Sequence, residues 1–130
     1  SHDWGIGAVS YGSTLASAQT QMETDKWIGK VGLMSFSDYA KAPLASCATD
    51  NYSNSIPCGT SNYLHKTNEY YWTMTPYAGY SYIVFTVNTT GGLSLNSAFD
   101  GRGGRPAFYL TSNIQLTGDG TIGTPFEIKS

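Results

Sequence analysis

Charged residues are scarce in this sequence, and neither sign dominates. They make up 12% of the 130 residues, and the formal net charge is −2. An average soluble domain carries about 25% charged residues. This balance leaves no basic surface of the kind that binds nucleic acid, so we expect no nucleic-acid partner. No apolar run approaches the length of a membrane-spanning helix, and no secretory signal is visible, so we expect no membrane insertion of this fragment.

Cysteine and histidine are also scarce, with two residues of each type. Cys47 and Cys58 lie in a stretch rich in Ser, Asn and Pro, without a Cys-x-x-Cys motif or a histidine cluster. Redox or metal chemistry is the alternative, but we predict a disulfide that closes a surface loop in an oxidising compartment. Because clustered His, Cys and carboxylate ligands are lacking, we expect no metal and no cofactor.

Motifs that carry catalysis are missing as well. The sequence has no P-loop, no Gly-x-Ser-x-Gly and no metalloprotease helix, and its acids are scattered. Asp100 and Asp119 each precede a glycine, which favours turn formation over cation binding. We therefore expect no catalytic residues and no enzyme activity.

What the sequence does have is aromatic residues, at 14% with ten tyrosines, together with many Gly, Ser, Thr and Asn residues. A surface of this kind is typical of extracellular and adhesive domains. The length suits one domain with a core of its own. Ser1 and His2 resemble a tag remnant, so we expect a single domain over residues 3–130.

The order of patterns predicts an α+β domain, with two short helices followed by antiparallel strands. Ser13 is predicted to cap the first helix, and Ser37 the second, which Pro43 would stop. The predicted helices cover residues 14–22 and 38–42. The predicted strands cover residues 6–9, 27–34, 70–74, 82–87, 93–95, 107–110, 113–116 and 125–128.

A glycine-rich loop leads into an apolar strand over residues 100–110. Pro106 fixes its own φ angle and favours an extended Arg105. Residues 107–110 have the apolar profile of a strand buried on both faces. We predict a structural role for Arg105, which would donate to backbone carbonyls of the loop. Core positions are predicted for Trp27, Trp72, Phe85 and Phe108.

Four segments together resemble a known group of domains. They are residues 30–40 (KVGLMSFSDYA), 71–76 (YWTMTP), 103–110 (GGRPAFYL) and 118–128 (GDGTIGTPFEI). The set resembles the C-terminal display domains of surface and pilin-like proteins of gut Firmicutes. Those domains are similar to formylglycine-generating-enzyme-type modules and to the variable proteins of diversity-generating retroelements. The resemblance implies a C-type-lectin-like fold, with a twisted antiparallel sheet and long ligand-facing loops.

The resemblance also implies where a ligand would bind. In a lectin-like fold the loops that join the last strands gather on one face, and here those loops mix Tyr with Gly, Ser and Asn. Tyr82 opens an apolar strand, so we expect it to pack in the sheet. The predicted ligand-binding residues are Tyr77, Tyr80, Asn96, Phe99, Asp100 and Arg102. Calcium-dependent sugar coordination is not expected, because the Glu-Pro-Asn, Gln-Pro-Asp and Trp-Asn-Asp motifs are lacking.

Two functions remain open at this point. The first is an extracellular, adhesin-like module on a bacterial surface or pilus that binds a host or bacterial surface protein or glycan. The alternative is a structural minor-pilin or stalk-tip domain that contacts only neighbouring pilus subunits, through a segment preceding this fragment. Both place the domain outside the cell.

Overall fold

The computed structural model describes residues 1–42, 62, 64–65, 68–121 and 123–129. This part contains helices and small antiparallel sheets, as the α+β prediction requires. The helices are α1 (Leu15–Met22) and α2 (Phe36–Lys41). The strands are β1 (His2–Gly5), β2 (Lys26–Gly29), β3 (Gly32–Leu33), β4 (Tyr71–Pro76), β5 (Ile83–Val87), β6 (Leu93–Ser97), β7 (Pro106–Ala107), β8 (Leu116–Thr117) and β9 (Glu127–Ile128). No helix in the described ranges has the length and apolar character needed to cross a bilayer. Pro43, Cys47 and Cys58 lie outside the described residues.

Helix α1 begins at Leu15, one residue later than predicted. The Thr14 hydroxyl accepts the backbone N–H of Ser17 at 3.2 Å, so Thr14 is the N-cap. Ser13, the predicted cap, instead donates its hydroxyl to the preceding turn. Ala18 and Met22 are buried, so the predicted apolar stripe of this helix faces the core.

Helix α2 begins with a capping box. Ser35 accepts the N–H of Asp38 at 3.1 Å, and the Asp38 carboxylate accepts the N–H of Ser35 at 3.1 Å. The prediction of Ser37 as the cap is therefore wrong, because the reciprocal pair needs an acid three residues after the cap. Ser37 is buried inside the helix. The N–H of Phe36 donates to Thr75 Oγ1 at 2.9 Å, which joins the start of α2 to β4.

The central sheet has three antiparallel strands in the order β4-β5-β6. Phe85 pairs with Leu95 in the β5–β6 hairpin, so the strands predicted over residues 82–87 and 93–95 do pair with each other. Within the turn, the Asn88 side-chain oxygen accepts the N–H of Gly92 at 2.9 Å. Gly91 has a φ of +81°, a conformation that side chains disfavour.

The core lies between the two helices and this sheet. The rings of Phe36 and Phe85 meet edge to face, with centroids 5.1 Å apart. Thr73 donates its buried hydroxyl to the Phe85 carbonyl at 2.7 Å. Among the described residues, no buried side-chain nitrogen or oxygen lacks a hydrogen-bond partner, as expected of a packed interior. The core residues are Val9, Ala18, Met22, Met34, Phe36, Tyr39, Ala40, Tyr71, Phe85, Val87 and Leu93.

The part of the chain that the structure describes also contains three two-stranded sheets: β1–β2, β3–β7 and β8–β9. The strand predicted over residues 27–34 is divided between β2 and β3, because its two halves pair with different partners. Trp27 pairs with Trp4 on β1 and is 43% exposed, so its predicted core position is wrong. The strand predicted at residues 6–9 is also wrong, since only Val9 forms a bridge, to Tyr77.

The C-terminal part departs most from prediction. Only Pro106 and Ala107 pair with β3, and every described residue from Phe108 onward is exposed. Phe108 is 61% exposed, so the predicted strand buried on both faces, and the core position of Phe108, are wrong. The two final strands form, but each is only two residues long. The apolar side chains of residues 107–110 predicted a buried strand. Strand pairing ends at Ala107, however, so the apolar residues after it stay exposed.

Candidate binding face

The two loops predicted to carry the ligand site lie at the same end of the central sheet. Residues 77–82 connect β4 to β5, and residues 98–102 follow β6. Because β5 is antiparallel to both neighbours, its start lies beside the ends of β4 and β6. The N–H of Ala98 donates to the carbonyl of Tyr82 at 2.8 Å, which joins the two loops directly.

Exposed aromatic rings occupy this end of the sheet. Tyr80 is 60% exposed and Tyr82 is 49% exposed, with ring centroids 5.8 Å apart. Phe99, next to the Ala98 that bonds to Tyr82, is 90% exposed. We call Tyr80, Tyr82 and Phe99 the sheet-end face. The expectation that Tyr82 packs in the sheet is wrong, because β5 begins one residue later, at Ile83.

The loop beneath these rings is anchored on both sides. The N–H of Tyr77 donates to the Ile83 carbonyl at 3.0 Å, and the N–H of Ala78 donates to the Val9 carbonyl at 2.9 Å. A Cβ at Gly79 would lie 2.4 Å from the Tyr77 ring, so only glycine lets that ring fold back over the loop. Anchoring of this kind reduces the entropy lost when a ligand binds.

Tyr77 supports the sheet-end face, and less of its side chain is exposed to a ligand than of the other rings. Its ring is half-buried and meets Phe85 of the core edge to face, with centroids 6.1 Å apart. On its other side it approaches Tyr80, with centroids 6.3 Å apart. The exposed rings are thus continuous with the hydrophobic core.

The predicted polar residues have partners within the protein. Asn96 lies inside β6, where its side-chain oxygen accepts the Thr86 hydroxyl at 2.6 Å. Arg102 and Asp100 approach each other to 3.7 Å, and the Arg102 guanidinium lies 4.9 Å from the centre of the Tyr70 ring. Asp100 and Arg102 lie in the same loop as Phe99 of the sheet-end face, and Asn96 lies in the strand that precedes this loop. Their role in binding stays a prediction.

Arg105 donates to a backbone carbonyl, as predicted, but the acceptor lies outside the glycine-rich loop, so the predicted partner is wrong. Its guanidinium donates to the backbone carbonyl of Leu64 and lies 5.0 Å from the centre of the Tyr71 ring. The Tyr71 hydroxyl donates to the same carbonyl. Burial raises the pKa of Tyr71, and the positive charge of Arg105 opposes that shift. Arg105 thus ties residue 64 to the strand that follows the glycine-rich loop.

Trp72 lies where the glycine-rich loop returns to the sheet. Its backbone N–H donates to the Gly103 carbonyl at 2.9 Å, and its side chain is half-buried. Together with Leu33, Val84 and Ala98, its ring lines a small depression beside the loop after β6. Trp72 is not one of the core residues, so its predicted core position is wrong, while its contacts with the loop are compatible with a structural role.

The acidic turn at Asp119 is held by hydrogen bonds inside the turn. The Asp119 carboxylate accepts the backbone N–H of Thr121 at 3.0 Å and its hydroxyl at 2.7 Å. These bonds hold the pKa of Asp119 below its usual range. Within the described ranges, no group of three or more His, Cys, Asp or Glu residues lies close enough to hold a metal ion.

Sequence reasoning missed two aromatic residues at this end of the molecule. Tyr82 was assigned to the sheet, and Tyr70, which lies under Arg102, was assigned to a strand. The signal for Tyr82 was available, because Tyr77, Tyr80 and Tyr82 are separated by Gly, Ser and Ala in a loop rather than by a strand pattern. Tyr70 gave no comparable signal, since it adjoins a true strand.

Residues 15–112 match the model of a family described as a domain of unknown function, DUF6273. The chain belongs to this family. Both loops that carry the sheet-end face lie within the matched residues. No curated protein and no solved structure matches the chain.

Proposed function

We propose that this domain is a non-catalytic, extracellular ligand-binding module displayed on a bacterial surface or pilus. The observation that carries the proposal is the hydrogen bond from Ala98 to Tyr82, because it brings two aromatic loops into one exposed surface. The ligand is a host or bacterial surface protein or glycan. Its main contacts are with Tyr80, Tyr82 and Phe99, and Asn96, Asp100 and Arg102 flank them.

The chemistry of the face supports binding rather than catalysis. Tyrosine supplies a large contact area with few torsions, while the intervening Gly, Ser and Ala keep the loops small and adaptable. Residues 77–82 carry no charged side chain. Asp100 and Arg102 neutralise each other in part. A face of this kind favours an uncharged ligand surface that offers C–H groups to the aromatic rings and hydroxyl or amide groups to their polar edges.

A C-type-lectin-like architecture is part of the same proposal. Two helices pack against an antiparallel sheet, and the loops between its strands meet at one end. This arrangement supports the resemblance found in the sequence. Variation of the loop residues on an unchanged sheet would then alter the ligand without altering the fold.

A second candidate function is supported by a different surface. The described C-terminal residues expose several large apolar side chains, including Phe108, Phe126 and Ile128 at 61%, 60% and 56%. Exposed apolar clusters often mark contacts between proteins. This observation favours the structural minor-pilin or stalk-tip function, in which neighbouring subunits cover the C-terminal hairpin.

Arrays of glycans and of surface proteins, read with labelled domain, test the proposal. The parent domain is compared with the Tyr80→Ala/Phe99→Ala double variant, whose fold is checked by circular dichroism. We expect saturable binding to a defined ligand class, reduced at least about tenfold in the variant, since hot-spot aromatics commonly contribute that much. If no ligand binds the parent, or if the folded variant binds equally well, the face is not a binding site.

A further inference from the structure

A second concave site lies on another side of the molecule, between β1, the helices and the chain after β7. A cavity of about 300 Å³ is lined by residues from all of these segments. A neighbouring cavity of about 340 Å³ shares Trp4, Asp38, Lys41 and Tyr109 with it. The volumes lie at the lower end of those typical of small-molecule sites. We call this region the helix-side cleft.

Aromatic rings form one wall of the cleft. Trp4 is 4% exposed and is fixed by a hydrogen bond from its indole N–H to the Gly29 carbonyl at 3.1 Å. Tyr109 packs against its edge, with ring centroids 5.2 Å apart, and remains 56% exposed. His2 stacks on Tyr109 with centroids 3.6 Å apart. A rigid tryptophan therefore supports an accessible tyrosine.

Among the charged groups near this wall, carboxylates outnumber cations. Asp3, Glu23 and Asp38 line the cavity of about 300 Å³, against the single cation Lys41 among its described lining residues. Glu23 is paired with Lys26 at 2.9 Å. Asp38 is held in place by α2, because its carboxylate accepts hydrogen bonds from the Ser35 cap.

Asp38 and Tyr109 both line the two cavities of the cleft. Burial raises the pKa of Tyr109, and the negative charge of Asp38 raises it further. An anion and the electron-rich face of an aromatic ring both attract a positive charge. The cleft thus combines two features that favour a cation, with methionines Met22 and Met74 at its side for an aliphatic stem.

We propose that the helix-side cleft binds an alkylammonium group, with Asp38 and Tyr109 as its main contacts. The group comes either from a lysine side chain of a partner protein or from a small free amine. The contact needs Asp38, Tyr109 and the Trp4 wall. The site is separate from the sheet-end face, so either can fail without the other.

Titrations followed by NMR chemical shifts test the proposal with defined probes. The probes are N-acetyl-lysine methylamide, n-butylamine and the uncharged isostere N-acetyl-norleucine methylamide. We expect saturable shifts at Trp4 and Tyr109 with at least one of the two cations and not with the norleucine compound. Binding of the lysine compound alone assigns a protein partner, and equal binding of butylamine assigns a small amine. Failure of both cations, or equal binding of the uncharged probe, overturns the proposal.

Variants of the cleft residues test whether the ligand is a cation or an anion. Asp38→Asn and Tyr109→Ala should each weaken binding of the bound cation about two- to fivefold, as exposed ion pairs and cation–π contacts do. Lys41→Gln should strengthen it by a similar factor, because a like charge is removed. Glu127→Gln, at an exposed carboxylate that lines neither cavity, is the matched control and should change nothing. Weaker binding in Lys41→Gln would indicate an anionic ligand and contradict the proposal.

Discussion

Removing one hydroxyl from the core, by Tyr39→Phe, tests how α2 is held to the β5–β6 turn. Tyr39 is 1% exposed, and its hydroxyl donates to the Gly91 carbonyl in the β5–β6 turn at 2.5 Å. The phenylalanine ring fills the same space, so no large cavity forms. The Gly91 carbonyl, however, loses a buried donor, which costs about 1–3 kcal/mol. For a domain of this size, that loss lowers the Tm by about 4–12 °C.

Thermal and urea unfolding followed by circular dichroism measure this effect. Tyr82→Phe is the matched control, because that tyrosine is 49% exposed, and it should change the free energy of unfolding by less than about 0.5 kcal/mol. A Tyr39→Phe variant as stable as the control would show that the hydrogen bond to the turn does not hold α2 in place.

Tyr39→Phe should also change how the stability of the protein depends on pH. Burial, and to a lesser extent Tyr71, raises the pKa of Tyr39 far above its usual value near 10. Because the folded pKa is the higher one, the contribution of the neutral hydroxyl is complete below about pH 10 and is lost as the pH rises further. The stability of the parent should therefore fall more steeply above pH 10 than that of Tyr39→Phe. Parallel alkaline curves would contradict the buried position of this phenol.

Three further predictions concern other contacts. Arg105→Ala should cost about 0.5–1.5 kcal/mol in urea unfolding, since the shared carbonyl keeps the Tyr71 hydroxyl; a change in binding alone would place Arg105 in a ligand site. The pKa of Asp119 is lower in the folded protein than that of a free carboxyl group, so the carboxylate stabilises its turn at pH values above the ordinary carboxyl pKa. This stabilisation is lost as the pH falls through the lower pKa of the folded state. Amide shifts of residues 118–124 should therefore change below about pH 4, and a midpoint at or above the ordinary carboxyl pKa would exclude the bond. A Cys47–Cys58 disulfide should be worth about 3 kcal/mol; two thiols alkylated without reductant would rule it out.

Local patterns predicted the central hairpin well. β5 is a run of β-branched and aromatic residues, and the Asn-Thr-Thr-Gly-Gly turn that follows contains the glycine that its backbone requires. The capping residues were less well predicted. Ser13 and Thr14 are adjacent hydroxyl residues, and the Ser13 hydroxyl donates to the Ser10 carbonyl in the preceding turn, which leaves Thr14 to cap the helix. At α2, the Ser35-x-x-Asp38 spacing identifies the cap once both partners of the box are sought.

Apolar content alone misplaced the aromatic residues. Trp27 and Phe108 have the composition of core residues, and Tyr82 that of a strand, yet all three are exposed. Whether such a residue is covered depends on which strands pair beside it, and that pairing is non-local. Likewise, the helix-side cleft is lined by residues that are far apart in the sequence, so no local motif predicts it.

Adhesion of the sheet-end variants to host cells or mucin tests the proposed function most directly. Tyr80→Ala/Phe99→Ala is compared with Phe108→Ala/Phe126→Ala, a matched pair of exposed aromatics on the C-terminal side, after both are shown to fold by circular dichroism. If the sheet-end face binds the ligand, the first variant loses at least about tenfold in adhesion and the second keeps the level of the parent. If the first variant adheres like the parent, and only the second is impaired, the binding face is wrong and the structural stalk-tip function is the better one.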